Sequence, residues 1–224
     1  MGSPSPEHAP ISAAGRVADQ LRDLIRDGAY APGARLVERA IARELGTSHI
    51  PVREALARLA EEGLVVRLPR RGARVAELSP RLLEEISSVR VVLEQFVCER
   101  VLERWTGAAE AELSGLARKM AAAAERGSTK TVGELDVRFH ETLWQLADHE
   151  LLLEVAGGLR GRIERFLRAA NAALAPDELR AHAASHGELV ELLASGDHAA
   201  VARAMRRHIE LGAERVARAG GLTS

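Results

Sequence analysis

Asp136 and His140 stand four residues apart. In a helix that spacing puts both side chains on one face, about 6 Å apart at Cβ. His186 and His208 follow in two further stretches of helical pattern. If those three helices pack as a bundle, one carboxylate and three imidazoles can converge on an interior point, as metal ligands do in bundle cores. Such a donor set suits Zn²⁺, and also Ni²⁺ or Mn²⁺ with added waters. Spacing alone leaves a plainer reading open. The chain has eight histidines, His182 and His186 form a second pair at the same spacing, and many histidines are simply exposed or satisfied in a core. His8, His149 and His198 read as surface residues.

Arg90 and Glu94 are a second pair worth weighing. Arg90 lies beside the apolar positions Val89 and Leu93, and Glu94 one turn on could neutralise it. Alternatively, Arg90 points into the bundle and holds a ligand carboxylate by a two-pronged contact. The residues leave both open. No nucleophile constellation is visible: the serines are scattered, Cys98 has no histidine near it in sequence, and there is no Gly-rich phosphate loop. An enzyme reading would therefore rest on a metal-dependent hydrolase lacking a clear general base. Cys98, the single cysteine, reads as a plain buried hydrophobe and makes no internal disulfide, which fits a reducing cytoplasm.

The elements that must position these groups are mostly helices. With 46% hydrophobic, 28% charged and 3% aromatic residues, and Ala and Leu dominant, the composition favours a helical protein of one or two domains. Ser79 as cap and Pro80 at the first helical position open a helix to about Trp105. Five more follow: Thr106 to Gly127, Thr131 to Asp148, Glu150 to Ala170, Pro176 to Ser195, and Asp197 to Ala219. Short connections make these an antiparallel six-helix bundle. No apolar run approaches the ~20 residues of a membrane span.

The front of the chain has another layout. A helix from about Ser12 to Asp27 precedes a turn at Ala31-Pro32-Gly33. A helix over about Val37–Leu45 ends at Gly46, and a capped helix follows from Thr47 or Ser48, with Pro51 in its first turn. Val52, Leu56 and Leu59 form its buried stripe, leaving His49 and Arg53 pointing outward. Helix, glycine turn and capped helix make a helix-turn-helix, whose second helix enters the DNA major groove; an ordinary helical hairpin is the alternative. Val65–Leu68 and Ala73–Val75 read as strands around a Pro69-Arg70-Arg71-Gly72 turn, a wing suited to phosphate or minor-groove contact. Net charge is −1, but residues 1–76 carry 12 basic against 9 acidic side chains and residues 77–224 carry 19 against 23. This asymmetry suggests two jobs. The expected organisation is a disordered leader (1–11), a winged helix-turn-helix domain (12–76), a linker (77–80), an all-helical domain (81–219) and a tail (220–224).

The segment PGARLVERAIARELGTSHIPVREALARLAEEGLV, followed by RRGARV, resembles the GntR family of bacterial transcription regulators in its FadR-like branch. The segments DVRFH, SHGELVELLASGD and AVARAMRRH resemble that branch's helical effector domain, called FCD. The resemblance implies metal ligation by Asp136, His140, His186 and His208, with Zn²⁺ ahead of Ni²⁺ or Mn²⁺. It implies DNA contacts from Arg39, Ser48, His49, Arg53, Arg71 and Gly72, and an effector contact from Arg90. Two positions depart from the family pattern. His49 stands where most relatives have arginine, which reads guanine in a bidentate manner as histidine cannot. His149 stands where relatives commonly carry Asn at a helix start. The implied protein is a cytoplasmic, homodimeric repressor that binds operator DNA and answers to a small organic acid held at the metal. A metal sensor is the runner-up and a hydrolase the more distant alternative.

Overall fold

The computed structural model describes residues 12–68, 72–77, 79–172 and 174–219. The leader, the wing tip with Arg71, and the 220–224 tail lie outside the described residues. The chain divides into two compact units, Met1–Glu77 and Leu78–Ser224.

In the first unit, α1 (Ala13–Arg26) starts where Ser12 Oγ accepts the Gly15 N–H at 3.0 Å, a side-chain cap for an otherwise orphan amide. Val17, Ala18 and Leu21 are its buried positions. β1 (Arg35–Leu36), α2 (Glu38–Glu44), α3 (His49–Glu61), β2 (Val65–Leu68) and β3 (Gly72–Val75) follow. The sheet order is β1-β3-β2, antiparallel throughout, with Arg35 opposite Arg74 and Val65 opposite Val75. The two-residue β1 is too short to leave a pattern in sequence. It forms because Leu36 is fully buried in the same core as Leu21, Ile41, Val52, Leu56, Leu59 and Val75. Arg22 Nε and Nη2 grip the Glu62 carboxylate at 3.1 and 2.9 Å, tying α1 to the end of α3. Ser48 holds the N-cap position of α3, yet its side chain makes no capping hydrogen bond.

In the second unit, the described residues form six helices: α4 (Pro80–Glu103), α5 (Gly107–Glu125), α6 (Thr129–Leu146), α7 (Glu150–Ala172), α8 (Pro176–Ser195) and α9 (His198–Ala219). Ser79 Oγ accepts from Leu82 N–H at 3.1 Å, and Pro80 occupies the first turn, where its missing N–H costs nothing. His149 does the work of a cap at the start of α7, its Nδ1 accepting the Leu152 N–H at 3.2 Å. An imidazole lone pair thus replaces the oxygen of the more usual Asn. α5 packs on α6 and α8, α4 on α9, and α6 on α7. Their shared core runs through Val97, Leu113, Met120, Phe139, Leu143, Leu189 and Met205. No helix of the described residues is long and apolar enough to cross a membrane.

Candidate functional site

On α6 the residues Val132, Asp136, Phe139, His140 and Leu143 share one buried face, so helical spacing carries two polar groups into the core with the apolar ones. His186 on α8 and His208 on α9 face them. One donor atom from each of Asp136, His140, His186 and His208 lies within 4.8 Å of every other, and all four residues are buried.

The hydrogen bonds around this group determine which ring nitrogen carries each proton. His186 Nδ1 lies 2.9 Å from the His182 carbonyl oxygen, to which it can donate, and its Nε2 lies 2.8 Å from Asp136 Oδ1. His140 Nδ1 donates to Glu94 Oε2 at 3.1 Å. The Ser185 hydroxyl donates to the His182 carbonyl at 2.7 Å, so Ser185 Oγ accepts from His208 Nδ1 at 3.2 Å. His140 and His208 therefore turn bare Nε2 lone pairs toward each other at 3.3 Å. Asp136 Oδ2 is held by Asn171 Nδ2 at 2.7 Å, and Oδ1 alone turns inward. One nitrogen from each of three imidazoles and one carboxylate oxygen thus converge on a single buried point, a donor set that could hold a cation. The second bond on each ring is the outer support typical of metal-binding histidine, and the donor set fits a tetrahedral Zn²⁺ site.

Electrostatics favour the deprotonated donors. Burial would push the Asp136 carboxyl up, but His182 and His186 hold it well below the usual range. Burial likewise opposes ionised Glu94, yet His140 and Arg90 bring it to about 2. His208 is pushed well below the ordinary imidazole value by burial and by its imidazole neighbours. His186 is lowered by burial against the opposing pull of Asp136.

Arg90 is 1% exposed. Its Nη2 donates to Glu94 Oε1 at 3.1 Å, and its guanidinium carbon lies 5.0 Å from the centre of the Phe166 ring. Glu94 thus neutralises Arg90, while the buried Arg90 Nε has no hydrogen-bond partner. Sequence reasoning missed the other duty of Glu94, its bond to His140, and the roles of Asn171 and Ser185. Nothing in local spacing marks partners 46 and 35 positions apart.

In the first unit Arg39 is exposed on α2, and Ser48, His49 and Arg53 are exposed at the N-terminal end of α3, away from the buried Val52, Leu56 and Leu59. Gly72 is also exposed, with φ of +83° and a hypothetical Cβ 3.3 Å from the Leu36 carbonyl oxygen. Backbone conformation and the close β1 strand therefore both call for glycine there. Arg71 lies outside the described residues.

A winged helix-turn-helix joined to a six-helix unit with a buried Asp/His₃ cluster defines a class of DNA-binding regulator. Residues 13–75 match the model described as "Bacterial regulatory proteins, gntR family", and residues 85–211 match the FCD domain. The HTH-type transcriptional regulator McbR of Escherichia coli (strain K12) is 30% identical over 187 residues, covering 84% of this chain and 85% of that protein. The gluconate operon transcriptional repressor of Bacillus subtilis (strain 168) is 36% identical over 152 residues, 68% of this chain and 62% of that protein. Among solved structures, E. coli McbR/YncC superposes with a TM-score of 0.79 at 27% identity, covering 94% of this chain and 99% of that one. The chain belongs to the GntR family of transcription regulators, in the FadR-type group that carries an FCD effector domain.

Proposed function

We propose that the protein is a homodimeric, cytoplasmic repressor whose grip on operator DNA is set by a small organic acid bound at a metal ion in the helical unit. The observation that carries this reading is the convergence of three imidazole nitrogens and a carboxylate oxygen, from Asp136, His140, His186 and His208, on one buried point. Asp136, His140, His186 and His208 hold the ion, with Zn²⁺ the first expectation and Ni²⁺ or Mn²⁺ next. The metal supplies a fixed positive charge on which an acid's carboxylate can sit; it is a binding device and not a catalyst. Arg90 supports this site through the bond of its Nη2 to Glu94, and its buried Nε, which has no hydrogen-bond partner, remains a donor for the acid's carboxylate.

Arg39, Ser48, His49 and Arg53, with Arg71 and Gly72 at the wing, form the DNA-contacting set. A two-fold dimer would match a near-palindromic operator. The acid switches the protein only if it binds one arrangement of the DNA-binding pair better than the other.

The test is a thermal-shift screen of the metal-loaded protein against small carboxylic acids, repeated after chelation, with operator binding measured on each hit. An acid that raises the melting temperature only with metal present, and that changes operator affinity, is the expected result, because a ligand stabilises the state it binds. Operator affinity that follows metal and ignores every acid would make the protein a metal sensor. Indifference to both metal and acid would overturn the effector mechanism.

A further inference from the structure

Two cavities of opposite character border the Asp136/His₃ cluster. One, of about 200 Å³ between α6 and α7, is lined by His140, Trp144 and apolar side chains together with Glu141 and Glu164, and by no described cation. The other, of about 680 Å³ between α8 and α9, is lined by His182, His208, Arg203, Arg207 and Arg215 against a single acid, Glu188. Arg206 and Arg218 on the same helix are each paired, with Glu210 at 3.4 Å and Glu178 at 2.9 Å. Among the described residues, Arg203 and Arg207 make no ion pair, and Arg215 hydrogen-bonds the His182 ring, with Glu178 and Glu214 the acids near it. Three cations facing one cavity with one counter-charge form a site of net positive potential.

His182 links this cavity to the cluster. It is 5% exposed. Arg215 Nη1 donates to its Nδ1 at 3.4 Å, which places the ring proton on Nε2. That Nε2 has no hydrogen-bond partner. It lies 3.6 Å from Asp136 Oδ1, beyond hydrogen-bonding range. A buried ring nitrogen near Asp136 but too far from it for a hydrogen bond calls for a ligand atom.

We infer that the α8–α9 cavity takes a short organic acid with a second anionic group. One carboxylate sits on the cluster side within reach of His182 Nε2, and the second group, carboxylate or phosphate, is held by Arg203, Arg207 and Arg215. The first contact rests on the metal reading proposed above; the second does not. A monocarboxylate fills only the inner position and leaves the arginines hydrated.

The experiment is calorimetric titration of the full-length, metal-loaded protein with acetate, succinate and 2-phosphoglycolate at one ionic strength, beside metal analysis. It is repeated on the double variant Arg203→Gln/Arg207→Gln, whose side chains are exposed and carry no structural pair, with melting curves to verify folding. The expected result is that one or both dianions bind about ten-fold or more tightly than acetate, since each charge-assisted contact is worth roughly 1.5–3 kcal/mol. In the double variant that preference shrinks to about two-fold or less, while acetate affinity and metal content stay unchanged. The tighter of the two dianions identifies the second group. Equal binding of acetate and dianions, a preference that survives the double substitution, or binding of no acid overturns the inference. Failure to take up metal with the dianion preference intact overturns the metal reading and leaves the basic cavity standing.

Discussion

His140 Nδ1 donates to Glu94 Oε2 across 3.1 Å, joining α6 to α4 behind the Asp136/His₃ cluster. The bond favours the tautomer that leaves Nε2 able to ligate an ion and would make that nitrogen a better donor to one. Glu94→Gln should therefore lower metal affinity by about 10- to 100-fold, the usual effect of losing such a support. Competition against a chelator of known affinity measures this, and an unchanged affinity would detach Glu94 from the metal site. The same substitution leaves Arg90 without its anion in a buried position, so a loss of about 3–5 kcal/mol in stability should accompany it.

The metal-free protein should lose stability on acidification. His186 and His208 are held below the ordinary imidazole value of 6.5. Below that value the unfolded chain protonates them while the folded chain does not, so the unfolded state binds more protons and is favoured. Glu94 and Asp136 act in the same direction at lower pH. Their folded carboxyls stay ionised below the ordinary values of 4.5 and 3.8, and that stabilisation is lost as the pH falls toward their depressed values. Melting temperatures of the chelated protein should fall steadily from about pH 7 to about pH 5, and metal loading should steepen the drop because protons compete for the ligands. A flat or rising profile would contradict the assignment of neutral, buried histidines.

Arg53→Ala should weaken operator binding by about 1–3 kcal/mol, the range for one base contact. His49→Arg should tighten binding to sites with guanine at the facing base, because the arginine fork reads two acceptors where imidazole reads one. Titrations against a panel of operators check both. If affinity ignores Arg53, the exposed end of α3 is not the recognition surface.

Cys98 should resist alkylation in the native protein. It is 1% exposed, and burial, with Glu94 and Glu99 nearby, pushes its thiol up and away from the reactive thiolate. Labelling by a thiol reagent should follow the unfolding curve. Rapid labelling of folded protein would mean that α4 opens locally.

The helices were legible because their signals are local. Ser12 and Ser79 cap the elements they precede, Pro80 opens α4, and the Val52, Leu56 and Leu59 stripe faces the core. β1 was not legible: two residues carry no period, and Arg35–Leu36 becomes a strand only because β3 passes beside it. Ser48 shows the reverse case, where a residue type suited to capping occupies the cap position without making the bond.

The candidate site divides along the same line. The sequence by itself determined which donors exist and that Asp136 and His140 share a face, because i and i+4 meet on any helix. It could not decide between a metal cluster and satisfied core histidines, nor between the two readings of Arg90. Those questions turn on contacts between α4, α6, α8 and α9, whose partners are separated by tens of residues. Only the packed bundle brings Glu94 to His140, Ser185 to His208 and Asn171 to Asp136. Only those partners fix how each ring is turned and which donor atoms converge. Ring direction and protonation are properties of the assembled interior, where desolvation makes every polar atom require a partner.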